Sequence, residues 1–167
     1  MKRIYLLSTG GTIEKVYSEQ RGVVENRGSK LDRYLRMLRL PESEILSLSL
    51  MNKDSLEMTD EDRALITGKV KELAPEGAPI LITHGTDTMV ETGKVIEAAC
   101  PALTAPVVLT GAMTPLGFEG SDGLQNLTES LMAAQLLGPG VFVVIHGQVF
   151  PVSKVRKDKD KATFVWL

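Results

Sequence analysis

The sequence of 167 residues has one cysteine, few aromatic side chains and no long apolar run. Cys100 has no partner for an internal disulfide and no second thiol with which to form a metal site, which indicates a reducing compartment and no bound metal. The apolar stretch after Met1 is interrupted at residues 10 and 11 by two glycines, and no segment approaches the roughly 20 apolar residues of a membrane span. The sequence therefore predicts a cytoplasmic protein that does not contact a membrane.

An excess of charge of either sign is also lacking. The chain has 19 Lys and Arg against 21 Asp and Glu, which gives a formal net charge of −2. This balance provides no general electrostatic attraction to DNA or RNA, so we expect no nucleic-acid partner. The 43% of hydrophobic residues is typical of a globular protein, and the length predicts one domain over residues 1–167 with no second domain.

Five short runs of Val, Ile and Leu, each bounded by glycine, proline or polar residues, predict five strands. They cover residues 4–7, 45–50, 80–82, 107–109 and 141–145. Most of these runs are continuous rather than alternating with polar residues. Such strands are expected to be buried on both faces, as in a parallel sheet between two layers of helices.

Helical patterns lie between the predicted strands. Thr59 and Asp62 have the spacing of a capping box at the start of one helix. A second helix is predicted from Thr88 to about Ala99, a third begins near Asp122, and a weaker one covers residues 31–40. The alternation predicts an α/β fold with a flavodoxin-like, doubly wound parallel sheet in the order 2-1-3-4-5, followed by a C-terminal hairpin-like extension.

Two polar clusters follow the first and third predicted strands. Residues 8–12 read Ser-Thr-Gly-Gly-Thr, and residues 84–88 read His-Gly-Thr-Asp-Thr. In the predicted strand order, both clusters lie at the crevice where ligands bind. The first cluster lacks the glycine spacing and the lysine of a nucleotide-binding loop. A threonine nucleophile needs activation by neighbouring groups, and Thr86 and Asp87 are the nearest candidates; alternatively, these two residues cap the following helix.

Three segments together resemble the bacterial L-asparaginase/glutaminase family. Residues 9–13 read TGGTI, residues 84–92 read HGTDTMVET and residues 107–113 read VVLTGAM, in the order of the family's motifs. The Asp-Gly at 122–123 with the Asn-Leu at 126–127 extends the resemblance, which covers Lys2 to about Lys154. It implies hydrolysis of L-asparagine to L-aspartate and ammonia, with L-glutamine as a slower substrate and without a cofactor.

The resemblance also implies catalytic roles. Thr12 matches the nucleophile, while Thr86 and Asp87 match the second catalytic threonine and the substrate-holding aspartate. Residues 152–154 resemble the segment with the catalytic lysine, which would make Lys154 the group that polarises Thr86. Without the resemblance, the usual interpretation of Lys154 is a solvated charge run, since it borders the alternating charges of residues 157–161.

The remaining site residues follow from the same resemblance. Ser55 matches the serine that holds the substrate's α-carboxylate, and Tyr17 is the aromatic candidate from the mobile loop. The main-chain groups expected around the scissile amide belong to Gly11, Gly85 and Ala112. Leu56 departs from the family, which usually has a polar residue there, so a contact to the α-amino group is expected to be missing.

Members of the family usually have a second, smaller domain that contributes an acidic residue to a neighbouring active site. Without it, we expect weak substrate binding and a raised KM, and we expect a homodimer or homotetramer. Two other classes of protein remain open. One is a catalytically idle amino-acid-binding domain or a subunit of an amidotransferase, and the other is a flavin or nucleotide binder.

Overall fold

The computed structural model describes residues 1–167 as ten strands, four α-helices and four short 3-10 turns. The strands are β1 (Lys2–Gly10), β2 (Val16–Ser18), β3 (Val23–Glu25), β4 (Ser43–Lys53), β5 (Ile80–Thr83), β6 (Pro106–Thr110), β7 (Gly140–Ile145), β8 (Gln148–Pro151), β9 (Val155–Asp158) and β10 (Thr163–Trp166). The helices are α1 (Leu31–Met37), α2 (Asp60–Leu73), α3 (Met89–Ala99) and α4 (Gly123–Leu136).

Six strands form the central sheet, in the order β4-β1-β5-β6-β7-β8. The first five pair in parallel, and β8 pairs antiparallel with β7 at one edge. Counted along the chain, the five predicted strands are β1, β4, β5, β6 and β7, so the predicted order 2-1-3-4-5 is confirmed. The carboxyl ends of β1 and β5 lie side by side at the point where the strand order reverses, which is where this class of fold forms its crevice.

Both faces of the sheet are buried, as the continuous apolar runs predict. Along β5, the side chains of Ile80 and Ile82 point into a core of 19 buried residues that also includes residues of α2 and α3. Leu81 points to the opposite face, into a core of 13 buried residues that includes Leu127 of α4. Because successive side chains of a strand alternate between faces, one short strand contributes to both cores and forms a rigid base for the loop that follows it.

The helices begin close to the predicted positions. The capping box at the start of α2 is present: the Thr59 N–H donates to the Asp62 carboxylate at 2.9 Å, and the Asp62 N–H donates to the Thr59 hydroxyl at 3.3 Å. Helix α1 ends at Met37, three residues before the predicted end, because Leu38 adopts extended backbone angles. No helix combines the length and the apolar character that a membrane span requires.

Two hairpins lie outside the central sheet. Strands β9 and β10 pair antiparallel, which confirms the predicted C-terminal extension. Strands β2 and β3 form a second antiparallel hairpin, which the sequence analysis does not predict. The paired segments have only three residues each and are mostly exposed, so they lack the apolar pattern by which strands are predicted.

Candidate active site

Close contacts made by Gly11 and Gly85 join the loops that follow β1, β5 and β4. A Cβ atom on Gly11, which has φ +76°, would lie 2.3 Å from the backbone nitrogen of Gly85. A Cβ atom on Gly85 would lie 2.5 Å from the Oγ of Ser55. No side chain fits at such distances, so these positions require glycine. The three predicted binding positions therefore lie in direct contact, and they bring the Thr12 and Thr86 segments together.

The loop after β6 joins the same cluster of main chain. A Cβ atom on Gly111 would lie 2.3 Å from the carbonyl oxygen of His84 and 3.3 Å from the Cγ2 of Thr86. The His84 N–H donates to the Thr110 carbonyl at 2.8 Å. Ala112, the next predicted position, is fully buried beside this contact. The carboxyl ends of β1, β5 and β6 thus form one continuous surface of backbone and small side chains.

Thr86 and Asp87 share one lysine. The ammonium of Lys157 donates to the Thr86 hydroxyl at 2.7 Å and to the Asp87 carboxylate at 2.9 Å. Thr86 is buried, and only 17% of the Lys157 side chain is exposed. Neither Thr86 nor Asp87 caps α3, whose N-cap is Thr88 without a capping hydrogen bond. A positive charge at hydrogen-bond distance favours the deprotonated form of a hydroxyl, so this arrangement polarises Thr86.

The ammonium that contacts Thr86 belongs to Lys157 and not to Lys154, the residue that the resemblance assigns to this role. Lys154 ends the 3-10 turn Val152–Lys154 and is exposed, and its ammonium forms neither a hydrogen bond nor an ion pair. In β9, Val155 is buried and Arg156 is exposed. Side chains alternate along a strand, so Lys157 points to the same side as Val155, towards the crevice. The lysine that contacts Thr86 and Asp87 therefore belongs to the run of charges that the sequence assigned to solvent.

Thr12 begins the 3-10 turn that follows β1 and is half-buried. The turn is anchored by Glu14, which is only 2% exposed and accepts hydrogen bonds from the Gly10 N–H at 2.8 Å and the Thr83 hydroxyl at 3.2 Å. Burial raises the pKa of Glu14, and the hydrogen bond from Gly10 opposes this effect only in part. The buried carboxyl group of Glu14 thus fixes the Thr12 segment to the ends of β1 and β5.

An ion pair joins the Thr12 segment to the Ser55 segment. The ammonium of Lys15 lies 2.6 Å from the Asp54 carboxylate, and this hydrogen bond holds the pKa of Asp54 below its usual range. Asp54 also accepts the Leu56 N–H at 3.0 Å, which fixes the 3-10 turn Ser55–Glu57. Sequence analysis missed this pair, because no local pattern relates a lysine to an aspartate 39 positions away.

Ser55 is 2% exposed, and its carbonyl oxygen accepts the Thr88 hydroxyl at 2.9 Å. Tyr17 lies on β2 with 57% of its surface exposed, and its hydroxyl forms no hydrogen bond with Thr12 or Thr86. Leu56 is 70% exposed. The structure therefore assembles Ser55 with the loops around Thr86, but it leaves Tyr17 on the surface of the β2–β3 hairpin.

His84 lies beneath the crevice and is fully buried. Its Nδ1 is 2.8 Å from the Gly85 carbonyl oxygen, and its Nε2 is 2.8 Å from the Thr92 hydroxyl. Burial lowers the pKa of His84 to about 4, and the charge of Arg63 acts in the same direction. The ring is thus a neutral support for the Gly85–Thr86 loop. The structure contains no cluster of three or more His, Cys, Asp or Glu side chains that could hold a metal ion.

The fold and these loops define a doubly wound α/β protein that has two threonines at its crevice, one of which accepts a hydrogen bond from a lysine. A family model described as Asparaginase, N-terminal, matches residues 3–164. The chain therefore belongs to the asparaginase family, in the region of its N-terminal domain.

Similar proteins have the same fold. The chain is 30% identical to an L-asparaginase of Thermococcus kodakarensis over 155 residues, which are 93% of this chain and 47% of that protein. The solved structure of the thermostable L-asparaginase from the same organism superposes with a TM-score of 0.83 at 28% identity, over 99% of this chain and 51% of that one.

A subunit of the glutamyl-tRNA(Gln) amidotransferase of Methanococcus vannielii is 30% identical over 151 residues, which are 89% of this chain and 35% of that subunit. The chain thus spans about half the length of the L-asparaginase and about a third of the amidotransferase subunit.

Proposed function

We propose that the chain hydrolyses the side-chain amide of L-asparagine to L-aspartate and ammonia, with Thr12 as the nucleophile. The observation that carries the proposal is the contact of the Lys157 ammonium with both Thr86 and Asp87. A buried hydroxyl polarised by a lysine, beside a second threonine on a neighbouring loop, is an arrangement for nucleophilic catalysis. Membership in the asparaginase family supports the choice of an amide as substrate.

In the proposed reaction, the Thr12 oxygen attacks the amide carbon and the C–N bond breaks. The Thr12 proton passes through Thr86 to the leaving nitrogen, which departs as ammonia and leaves an ester on Thr12. A water molecule activated by Thr86 then attacks the ester, releases L-aspartate and restores the Thr12 hydroxyl. Lys157 stays charged throughout and stabilises the negative charge that develops on Thr86. The Thr86 N–H, which has no acceptor within the protein, is available to the oxyanion.

The two charged groups of the amino acid are assigned to different residues. Asp87, 30% exposed at its side chain, is proposed to hold the α-ammonium, and Ser55 is proposed to hold the α-carboxylate. L-Glutamine has one methylene more between these groups and its amide. When its α-groups are held in the same way, its amide carbon is displaced from Thr12, and such displacements slow a reaction strongly. Leu56 offers no polar atom, which supports a raised KM.

The direct test measures ammonia release from L-asparagine and L-glutamine over a wide range of concentrations. Thr12→Ala, Thr86→Ala and Lys157→Met are each expected to reduce kcat by about 100- to 10,000-fold, because each removes a group that acts on the reacting atoms. Lys154→Met is the matched control. It removes the same charge three residues away, at an exposed side chain whose ammonium forms no hydrogen bond or ion pair, and is expected to leave kcat within about twofold.

Circular dichroism and thermal unfolding would verify that each variant keeps its fold. The assignment of Lys157 is refuted if Lys154→Met abolishes ammonia release while Lys157→Met does not. The hydrolase itself is refuted if the folded wild-type chain releases no ammonia from either amino acid at high concentration.

The similarity to an amidotransferase subunit favours a second candidate function, that of a subunit which binds an amino-acid amide within a larger amidotransferase. A chain with this function, or an idle amino-acid-binding domain, would bind L-asparagine or L-glutamine without releasing ammonia. Isothermal titration calorimetry with both amino acids would distinguish it from the hydrolase. Heat of binding without ammonia release would support the second candidate.

We also propose that the chain forms a homodimer or homotetramer in the cytoplasm. Leu124, Met132 and Leu136 lie on one side of α4 and are 37%, 56% and 74% exposed. Beside them, α4, β7 and β8 line an open groove of about 610 Å3. An exposed apolar surface of this kind favours association. Sedimentation equilibrium would measure the oligomer, and Met132→Lys is expected to shift it towards the monomer.

A further inference from the structure

We propose that His146 is a positioning residue that aligns Lys157 with Thr86, through hydrogen bonds to Asp122 on one side and Thr163 on the other. This inference rests on the proposed function of Lys157. His146 lies outside the motifs that the sequence analysis identified.

The backbone of His146 has an unusual conformation. The residue follows β7 and has φ +51°, in the left-handed region that side chains other than glycine rarely adopt. Its N–H donates to the side-chain oxygen of Asn126 at 3.0 Å, which holds this conformation. A strained residue that the surrounding contacts maintain points to a function for its side chain. Here, the conformation directs the imidazole into the space between α4 and β10.

The two ring nitrogens of His146 contact different elements. Nε2 lies 2.7 Å from the Asp122 carboxylate, and Nδ1 lies 2.8 Å from the Thr163 hydroxyl. Burial acts to raise the pKa of Asp122. The carboxylate nevertheless has a pKa below its usual value, because it accepts hydrogen bonds from the Met113 N–H, from His146 and from the Thr114 N–H. A carboxylate only accepts hydrogen bonds. In the neutral ring, Nε2 therefore carries the proton, and Nδ1 accepts the Thr163 hydroxyl.

The Asp122 end of this chain of hydrogen bonds leads to Thr86. Asp122 accepts the N–H groups of Met113 at 3.0 Å and Thr114 at 2.9 Å, and so fixes the loop after β6. The Met113 sulfur in this loop lies 3.8 Å from the Thr86 hydroxyl. Asn126 adds a hydrogen bond of 2.9 Å to the carbonyl of Gly111, which packs against the loop of Thr86.

The Thr163 end leads to Lys157. Thr163 pairs with Asp158 across the hairpin, and the next residue, Phe164, pairs with Lys157. One imidazole thus links Asp122, which holds the loop after β6 against Thr86, to the β9–β10 hairpin, which carries Lys157. That hydrogen bond is 2.7 Å long, and a shift of about 1 Å would take it beyond hydrogen-bond range. Loss of the link is therefore expected to lower kcat.

Nitrogen-15 NMR of the histidine rings tests the link without reference to catalysis. The chain has only two histidines, so the spectrum contains two imidazoles. His146 is expected to carry a proton on Nε2, the nitrogen that faces the Asp122 carboxylate. His84 serves as the internal control, because its Nδ1 faces the Gly85 carbonyl and it is expected in the Nδ1–H form. An Nδ1–H form for His146 would overturn the proposal.

The variants Thr163→Val and Thr163→Ser separate the hydrogen bond from packing. Thr163→Val keeps the shape of the side chain but removes its hydroxyl, and Thr163→Ser keeps the hydroxyl. We expect Thr163→Val to lower kcat by at least about tenfold, with the unfolding temperature little changed, and Thr163→Ser to restore kcat. Equal kcat for Thr163→Val and the wild type would overturn the proposal.

A chemical probe covers the case in which the wild type releases no ammonia. In Thr163→Val, acylation of the Lys157 amine by an activated ester, followed by mass spectrometry, is expected to be several-fold faster than in the wild type, because the amine is released from Thr86 and Asp87. Lys154, which is exposed in both proteins, provides the reference rate. Unchanged labelling of Lys157 refutes the positioning role, whereas faster labelling without ammonia release refutes only the proposed hydrolysis.

Discussion

The buried ring of His84 predicts that the chain loses stability in mild acid. Burial lowers the pKa of His84 to about 4 in the folded state, whereas a histidine in an unfolded chain has a pKa of about 6.5. Between these values the unfolded chain binds a proton that the folded chain does not. The contribution of neutral His84 to stability is therefore fully present above about pH 6.5 and is lost as the pH falls towards 4.

The difference between the two pKa values sets the size of this loss. It corresponds to about 3 kcal/mol of unfolding free energy at the acid end of the range. A domain of this kind is stable by about 5–15 kcal/mol in total. One side chain that contacts only Gly85 and Thr92 through its nitrogens thus accounts for a considerable part of the acid sensitivity.

The assay is urea unfolding of the wild type and His84→Asn at several pH values from about 7.5 to 4. At neutral pH the variant is expected to be less stable by about 1–3 kcal/mol, because Thr92 loses its acceptor and a cavity forms. The stability of the wild type relative to the variant should fall by about 3 kcal/mol as the pH falls to 4, so that the difference vanishes or changes sign, since all other titrating groups are common to both proteins. A difference that stays constant with pH would refute the reasoning.

Three further predictions concern the crevice loops. Gly11→Ala places a Cβ 2.3 Å from Gly85 at a positive φ, so a loss of at least about 2 kcal/mol in unfolding free energy is expected; an unchanged thermal midpoint would contradict it. Since burial raises the pKa of Glu14, its charged form costs stability as the pH rises above about 4.5, and Glu14→Gln should shift the urea midpoint upwards at pH 7 but not in acid. If the Lys15–Asp54 ion pair of 2.6 Å positions the Thr12 segment, Lys15→Asp should lower ammonia release and the added Asp54→Lys should restore it. Equal release by the single and double variants would contradict this role.

The parallel sheet could be predicted because strands such as β5 and β6 have continuous apolar sequences. Every residue of both strands is buried, so the apolar runs are continuous, and a parallel sheet is the structure that buries both faces of a strand. The alternation of strands with helices then leaves few topologies. The positions of Gly11 and Gly85 could be predicted for a related reason, since glycines directly after neighbouring parallel strands meet at the same edge of the sheet.

Lys157 could not be assigned in this way. Its neighbours alternate in charge, and a charged residue of a strand looks the same in a sequence whether it points to solvent or to a crevice. The signal that could have identified it is Val155, which is 1% exposed and sets the side of β9 on which Lys157 lies. The ion pair between Lys15 and Asp54 and the contacts of His146 depend on which loops meet, and local patterns contain no such information.

Thr12 and the lysine that contacts Thr86 are held by elements of different rigidity. The segment of Thr12 is anchored by Glu14 against β1 and β5, strands that lie in the centre of the sheet. Lys157 belongs to the β9–β10 hairpin, which is separate from the sheet and is attached through buried side chains such as Phe164. Peripheral elements of this kind open at a lower free energy than the whole domain. The polarisation of Thr86 therefore depends on a local equilibrium of the hairpin, whereas the position of Thr12 depends on the global stability of the fold.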